Sequence, residues 1–305
     1  MKLYVIGNGF DIAHGLKTDY WSFRSFIEQV DPHFLELFEI HYNIYQGVPD
    51  KEKKRLLWNE FEKNLANIDE DIIIESAMSV EMDLESGDVG IEDTLYRYFS
   101  EEFQYIEKLK VYLKRCIRTI KIRDVQPRVS VIDNYNHDIF VNFNYTATLE
   151  NVYVISNSSV IHIHGSLRDY TQDPILGHGN RNKIEEIEKK KKDAEKYFDE
   201  KEISICKVIE DYYKTTLKDI NRYMPLLYRI KGEQISDIIV AGHSLAGIDM
   251  PYFRCIDSLT NNCLIWKVVY YDETRSETMK NSLIEAGINK ERIIMISAEE
   301  FYDLS

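Results

Sequence analysis

Six short apolar runs punctuate the chain, and most give way to glycine, asparagine or a polar turn. Residues 3–6 (Leu-Tyr-Val-Ile) end at Gly7, residues 139–141 at Asn142, residues 160–163 near Gly165 and residues 238–241 at Gly242; residues 264–270 and 293–296 complete the set. Runs of this length, rich in Val and Ile, are the pattern of strands buried on both faces of a parallel sheet, where no polar face alternates with an apolar one. Helical spacing lies between several of them, after Thr148, after Pro251 and from Ser276 to Ala286. Alternating strands and helices predict an α/β fold built on a mostly parallel, doubly wound, Rossmann-like sheet.

Two stretches depart from the alternation. Residues 19–126 carry almost no strand signal. Within them, apolar residues at Leu95, Tyr98, Phe99, Phe103, Ile106, Leu109, Leu113, Ile117 and Ile120 recur every three or four positions. That spacing predicts a long amphipathic helix from Glu92 to Arg123, with Gly87-Asp88-Val89-Gly90 as a break before it. Residues 183–232 are also helical in pattern and heavily charged. Both stretches read as large helical insertions forming a cap, within a single domain spanning 1–305. The lysines at 189–192 are diluted by acids on both sides and read as a solvated helix face.

The formal charge of −14 works against binding a phosphate backbone, which relies on Lys and Arg for neutralisation, so no nucleic-acid partner is expected. The four cysteines, Cys116, Cys206, Cys255 and Cys263, form no C-x-x-C pair and read as reduced thiols. No apolar run approaches the ~20 residues needed to span a bilayer. The apolar stretch near Met1 is too short for the core of a signal peptide. A cytoplasmic protein with no membrane partner is the expectation.

Candidate chemistry gathers where the apolar runs end. Gly7-Asn8-Gly9-Phe10-Asp11-Ile12-Ala13-His14-Gly15 follows the first run. Glycines there allow backbone to approach a ligand's phosphates, and Asp11 and His14 add polar groups at the end of a strand, where open α/β sheets bind ligands. A tight strand-to-helix turn with Asp11 as its cap explains the same residues. In Val141-Asn142-Phe143-Asn144-Tyr145-Thr146, a strand ends and a helix begins near Thr146. Asn144 either orients a hydroxyl or water with its amide or caps that helix. His162 and His164, two apart in a strand, share a face. His162 suits the core and His164, beside Gly165, suits a general base. With His178 of Gly177-His178-Gly179 the pair also offers metal ligands, but no carboxylate stands at a recognised ligand spacing, and no metal is expected. Gly242-His243-Ser244-Leu245-Ala246 imitates a nucleophile elbow. No histidine follows Ser244, and a hydrolase triad on this fold requires one. Gly242, Ser244 and Asp249 then read as a strand-end turn able to hydrogen-bond a sugar.

Taken together, G-N-G-F-D-x-x-H-G-L, F-N-Y-T-x-T-L-E, I-H-I-H-G-S, G-H-G and the late G-H-S-x-x-x-x-D resemble the bacterial abortive-infection AbiH family, which defends against phage. That family in turn looks like a distant relative of sirtuin-like defence domains, which cleave NAD at the nicotinamide–ribose bond. The resemblance implies a sirtuin-like nucleotide-binding core with NAD as substrate. Asn144 and His164 would carry the chemistry, with Glu150 matching the acid after the asparagine. Gly7, Asn8, Gly9, Asp11, His14, Tyr145, Gly165, Gly242, Ser244 and Asp249 would line the nucleotide. In this chain Asn8-Gly9-Phe10-Asp11 stands where those domains have G-A-G-x-S, and Thr146 follows Tyr145 where they have Asp. The alternatives are a non-catalytic module that senses a nucleotide or phage component, and a metal-dependent hydrolase using His162, His164 and His178. A toxic activity that must be restrained further implies a homo-oligomer or a phage-derived activator.

Overall fold

In a computed structural model of the chain, residues 1–73, 105–133, 137–165 and 174–303 are described. Six strands form one sheet: β1 Leu3–Ile6, β2 Ile139–Asn142, β3 Val160–His162, β4 Asp237–Ala241, β5 Ile265–Tyr270 and β6 Ile293–Ser297. All six coincide with the apolar runs read from the sequence. Every pairing is parallel, in the order β3-β2-β1-β4-β5-β6. This is the doubly wound order, in which the chain leaves β1 toward one edge and later returns to β1's other side. Leu3 lies opposite both Ile139 and Ile238, so the carboxyl ends of β2, β1 and β4 stop level with one another.

Among the described residues the α-helices, in chain order, are α1 Asn8–Ala13, α2 Tyr20–Val30, α3 Pro32–Ile40, α4 Asp50–Leu56, α5 Phe61–Asn64, α6 Tyr105–Thr119, α7 Thr148–Val152, α8 Asn182–Tyr197, α9 Glu200–Thr216, α10 Met250–Leu259, α11 Glu273–Glu285 and α12 Ala298–Phe301. The helix expected from Glu92 to Arg123 ends at Thr119. Its described part buries Ile106, Leu109, Leu113 and Ile117, the i, i+3, i+4 stripe that the spacing predicts; Leu95 to Phe103 and the Gly87–Gly90 break lie outside the described residues.

The chain divides into two compact units, residues 1–19, 114–175 and 219–305, and residues 20–113 and 176–218. The first holds the sheet. Strand alternation sends Leu3, Val5, Val141, Ile238, Val240 and Val268 to a face covered by Tyr252, Phe253 and Ile256 of α10 and Leu283 of α11. Tyr4, Ile6, Phe140, Ile239 and Val269 go to the other face, with Phe10 of α1, Leu149 of α7, and Ala298 and Tyr302 at the end of the chain. With both faces covered, the strands carry no polar alternation.

The second unit is helical and takes in most of the two expected insertions, while residues 114–126 and 219–232 belong to the first unit. Phe23, Phe38, Trp58 and Phe61 pack ring against ring. A buried Arg24–Glu39 pair (2.7 Å) also takes the Trp58 indole N–H, so that carboxylate is satisfied from two sides. The lysine run is not merely a solvated face. Lys191 binds Glu210 on α9, along which α8 packs, and Lys190 binds Glu70. Among the described residues no helix is long and apolar enough to cross a membrane.

Candidate functional site

The β1 and β4 carboxyl ends are joined by glycines. Gly7 N–H donates to Ala241 O (3.0 Å) and Gly9 N–H to Gly242 O (2.7 Å). A side-chain carbon at Gly7 would stand 2.6 Å from His243 Cα, and one at Gly242 would stand 2.0 Å from the Phe10 nitrogen. Gly242 also has φ 72°, a left-handed conformation that glycine adopts without steric cost. These glycines therefore let two loops of the chain pack on one another. A pyrophosphate held by the Gly7 and Gly9 N–H groups would have to displace the acceptors they already have.

Beside this junction lies a buried carboxylate. Asp11, fully excluded from solvent, accepts from Thr146 Oγ1 (2.5 Å) and Thr148 Oγ1 (2.7 Å). Desolvation pushes its pKa up to about 6, even though hydrogen bonds from Thr146, Thr148 and Asn144 favour the ionised form and only Glu150 adds to the rise. Asn144 ties the β2 loop to β1, with Nδ2 donating to Gly7 O at 3.1 Å. Both Gly7 O and Asp11 are acceptors, which fixes the amide orientation. Its Oδ1 is then buried with no hydrogen-bond partner among the described residues. The helix expected near Thr146 begins at Thr148, two residues later.

Two histidines approach the two oxygens of one aspartate. His164 Nε2 stands 3.5 Å from Asp249 Oδ1 and His243 Nε2 3.4 Å from Asp249 Oδ2. His243 Nδ1 accepts from Leu245 N–H, so its Nε2 carries the proton in the neutral ring and points a donor at Asp249. That bond also holds Leu245 in the left-handed region, φ 54°, with its side chain buried in the core. The Phe143 ring meets both imidazoles edge-on, at 5.2 and 4.6 Å between centroids. The Tyr145 ring tilts against His164, and its hydroxyl donates to Ile175 O.

His162 does not share His164's surroundings. β3 stops at His162, so the two-residue alternation expected to align the pair is not imposed. His162 Nε2 instead contacts Glu150 Oε1 at 2.8 Å. Glu150 Oε2, His162 Nδ1 and His164 Nε2 join Asn144 Oδ1 as buried atoms without a hydrogen-bond partner among the described residues.

The loops after β1, β2, β3 and β4 thus meet through Gly7, Asp11, Phe143, Asn144, Tyr145, His164, Gly242 and Asp249. Gly165, at φ 85°, turns the chain directly after His164. Four of the residues read from the sequence stand apart. Asn8 Nδ2 donates to Thr18 O. His14 bonds Phe10 O and Tyr153 OH and packs on Phe10, Tyr153 and Tyr302; burial, with Arg128 nearby, holds its pKa below the ordinary imidazole value. Ser244 is exposed and takes no part in the bonds that join the cluster. His178 belongs to the second unit, where its backbone bonds Thr216 and Lys218, its Nδ1 accepts from Asn180 N–H, and burial lowers its pKa to about 4. Among the described residues no group of three or more His, Cys, Asp or Glu side chains is arranged to hold a metal ion.

His243, Phe143, Thr146 and Thr148 were not singled out by sequence reasoning. His243 had a local signal, an imidazole directly after a strand-ending glycine. The threonines had none, because the partner that engages them lies about 135 residues away along the chain.

Fold and site define a doubly wound α/β protein with a polar cluster at the carboxyl edge of its sheet, where open α/β sheets place ligands. The family profile for bacteriophage abortive infection AbiH matches residues 3–270. The chain belongs to this family, and its role lies in abortive infection of phage-attacked cells. No curated protein and no solved structure matches it significantly.

Proposed function

We propose that the carboxyl-edge cluster is a nucleotide site at which the chain hydrolyses NAD between nicotinamide and ribose. The observation that supports this most is the set of four buried orphan atoms, Asn144 Oδ1, Glu150 Oε2, His162 Nδ1 and His164 Nε2. A buried polar atom without a partner costs about 1–3 kcal/mol, and such atoms concentrated at the ligand edge of an α/β sheet call for a polar occupant.

The chemistry assigned to the site is dissociative. The glycosidic C–N bond breaks with its electron pair leaving on nicotinamide, and positive charge develops on the ribose. Asn144 Oδ1 accepts a hydrogen bond from the attacking water. As the water oxygen bonds to the anomeric carbon, its proton passes to the His164 imidazole, and Asp249, facing Nε2 of that ring, steadies the imidazolium. Asp11 keeps the β1 and β2 loops in register. A phage-derived activator or self-association gates the activity, since unrestrained NAD loss harms the host.

A second reading rests on burial. His164 and Asn144 are only 4% and 5% exposed, which suits a module that closes on a nucleotide and senses it without turnover. Purified protein incubated with NAD, with nicotinamide followed by chromatography, separates the two. Release from wild type that falls at least about a hundredfold in His164→Ala supports hydrolysis. Equal release from both proteins rules out the catalytic assignment, and tight binding without release favours sensing.

A further inference from the structure

The orphan atoms also specify the chemistry of what binds. We infer that this rim takes the nucleoside end of its ligand, a ribose bearing a positively charged base, and rejects phosphate. The inference rests on reading this rim as the ligand site, and not on turnover.

The first argument is hydrogen-bond polarity. Asn144 Oδ1 is an acceptor, because its amide nitrogen is committed to Gly7 O and Asp11. Glu150 Oε2 is an acceptor as a carboxylate oxygen. His162 Nε2 faces Glu150 Oε1 at 2.8 Å; in the neutral ring it therefore carries the proton, and Nδ1 is a third acceptor. All three are buried and without a partner among the described residues. Acceptors are satisfied by donors. The two hydroxyls of a ribose and the amide of nicotinamide donate, whereas a phosphate dianion offers acceptors alone and would leave these atoms as unsatisfied as before.

The second argument is charge. Glu150 lies close enough to Asp11 to be felt at its carboxyl group, and both are buried. No lysine or arginine of the described residues pairs with Asp11, Glu150, His162 or His164. Carboxylates in a shielded site attract a pyridinium and repel phosphate. The third argument is the glycine junction. The backbone donors that a phosphate loop would offer at Gly7 and Gly9 already serve Ala241 and Gly242. Donor supply, charge and backbone thus exclude phosphate at the same edge.

Glu150 and His162 gain a role from this. Helix α7 sets Glu150 beside His162 at the end of β3, and the pair becomes the subsite that receives the ribose hydroxyls.

Calorimetric titration of the full chain with nicotinamide riboside, inosine and inorganic pyrophosphate tests the inference. Nicotinamide riboside is expected to bind, inosine (the same diol on a neutral base) about tenfold more weakly, and pyrophosphate not to displace the riboside. Glu150→Gln keeps the shape and is expected to weaken the riboside about tenfold. The wild-type series is decisive even where that variant folds poorly. Displacement by pyrophosphate, equal affinity for inosine, or no binding of the riboside overturns the inference. Riboside binding in this order without NAD cleavage keeps the inference and removes the hydrolase; NAD cleavage inhibited competitively by pyrophosphate does the reverse.

Discussion

The hydroxyl of Thr148 donates to Oδ1 of Asp11 at 2.7 Å, across 137 positions of the sequence. With Thr146 on the other oxygen, this bond locks the loop after β2 to the loop after β1 inside a site from which water is excluded. The carboxyl group nevertheless has a pKa of about 6 against an ordinary 3.8, with desolvation as the leading cause. A raised folded-state pKa means the native protein binds more protons than the unfolded chain between those two values. The contribution of Asp11 is therefore most favourable below pH ~4 and is lost as pH rises through 6, by about 3 kcal/mol in all. Urea unfolding of wild type and Asp11→Asn from pH 4 to pH 7 should show the difference between them moving in the variant's favour as pH rises. A pH-independent difference removes this account of the carboxylate.

Gly242→Ala places a methyl group 2.0 Å from a backbone nitrogen at φ 72°. No flexible side chain is there to give way, so the β1 and β4 loops must part. A loss of more than about 3 kcal/mol, or no folded protein, is expected. Gly247→Ala, five residues on, meets nothing within 4 Å and has no positive φ. It should shift stability by no more than about 0.5 kcal/mol. Thermal melts of the two variants give the comparison, and similar melting temperatures would contradict the packing role given to Gly242.

The contrast between these glycines shows where sequence reading stops. All six strands were legible because a strand buried on both faces leaves a contiguous Val/Ile run with a breaker after it. The β1-loop glycines were legible as a place of close approach, but not what approaches: a phosphate and the Gly242 backbone impose the same demand for a missing side chain. Asn144 and His164 were visible as polar residues at strand ends. The Asp249 contact of His164 was not, because it depends on how β3 and β4 are ordered in space. His14 shows the opposite failure. It follows the glycine loop in sequence, yet one helical turn from Phe10 carries its ring to Tyr153 and Tyr302.

In the helical unit, Glu70 receives Lys190 (2.7 Å), Lys183 (3.3 Å) and the Tyr213 hydroxyl (2.8 Å). Burial pushes its pKa up, but the bonds from Lys190 and Tyr213 outweigh it and hold the carboxyl below its usual range. The sign is opposite to that of Asp11. This contribution is present above pH ~4 and is lost as pH falls through the depressed value. Glu70→Gln should cost about 1–2 kcal/mol at pH 7 and less at pH 3. An equal cost at both values would show that packing, and not charge, holds these helices together.

Asp249 acts on the proposed chemistry through His164. Its Oδ1 faces His164 Nε2, while its Oδ2 faces His243 Nε2, whose own proton is fixed by the Leu245 N–H on the far side of the ring. The carboxylate is thereby aimed at the imidazole that is to receive the proton. Asp249→Asn keeps the size and the shape of the loop but removes the charge that steadies an imidazolium. The expected result is a fall in kcat for nicotinamide release of about tenfold or more, with KM little changed, because the lost interaction forms only as the proton moves. His243→Asn should produce a smaller loss of the same kind, since it only loosens the carboxylate. A ligand-side role for Asp249 predicts the converse, a raised KM at unchanged kcat, and that outcome would return this residue to the wall of the sugar pocket.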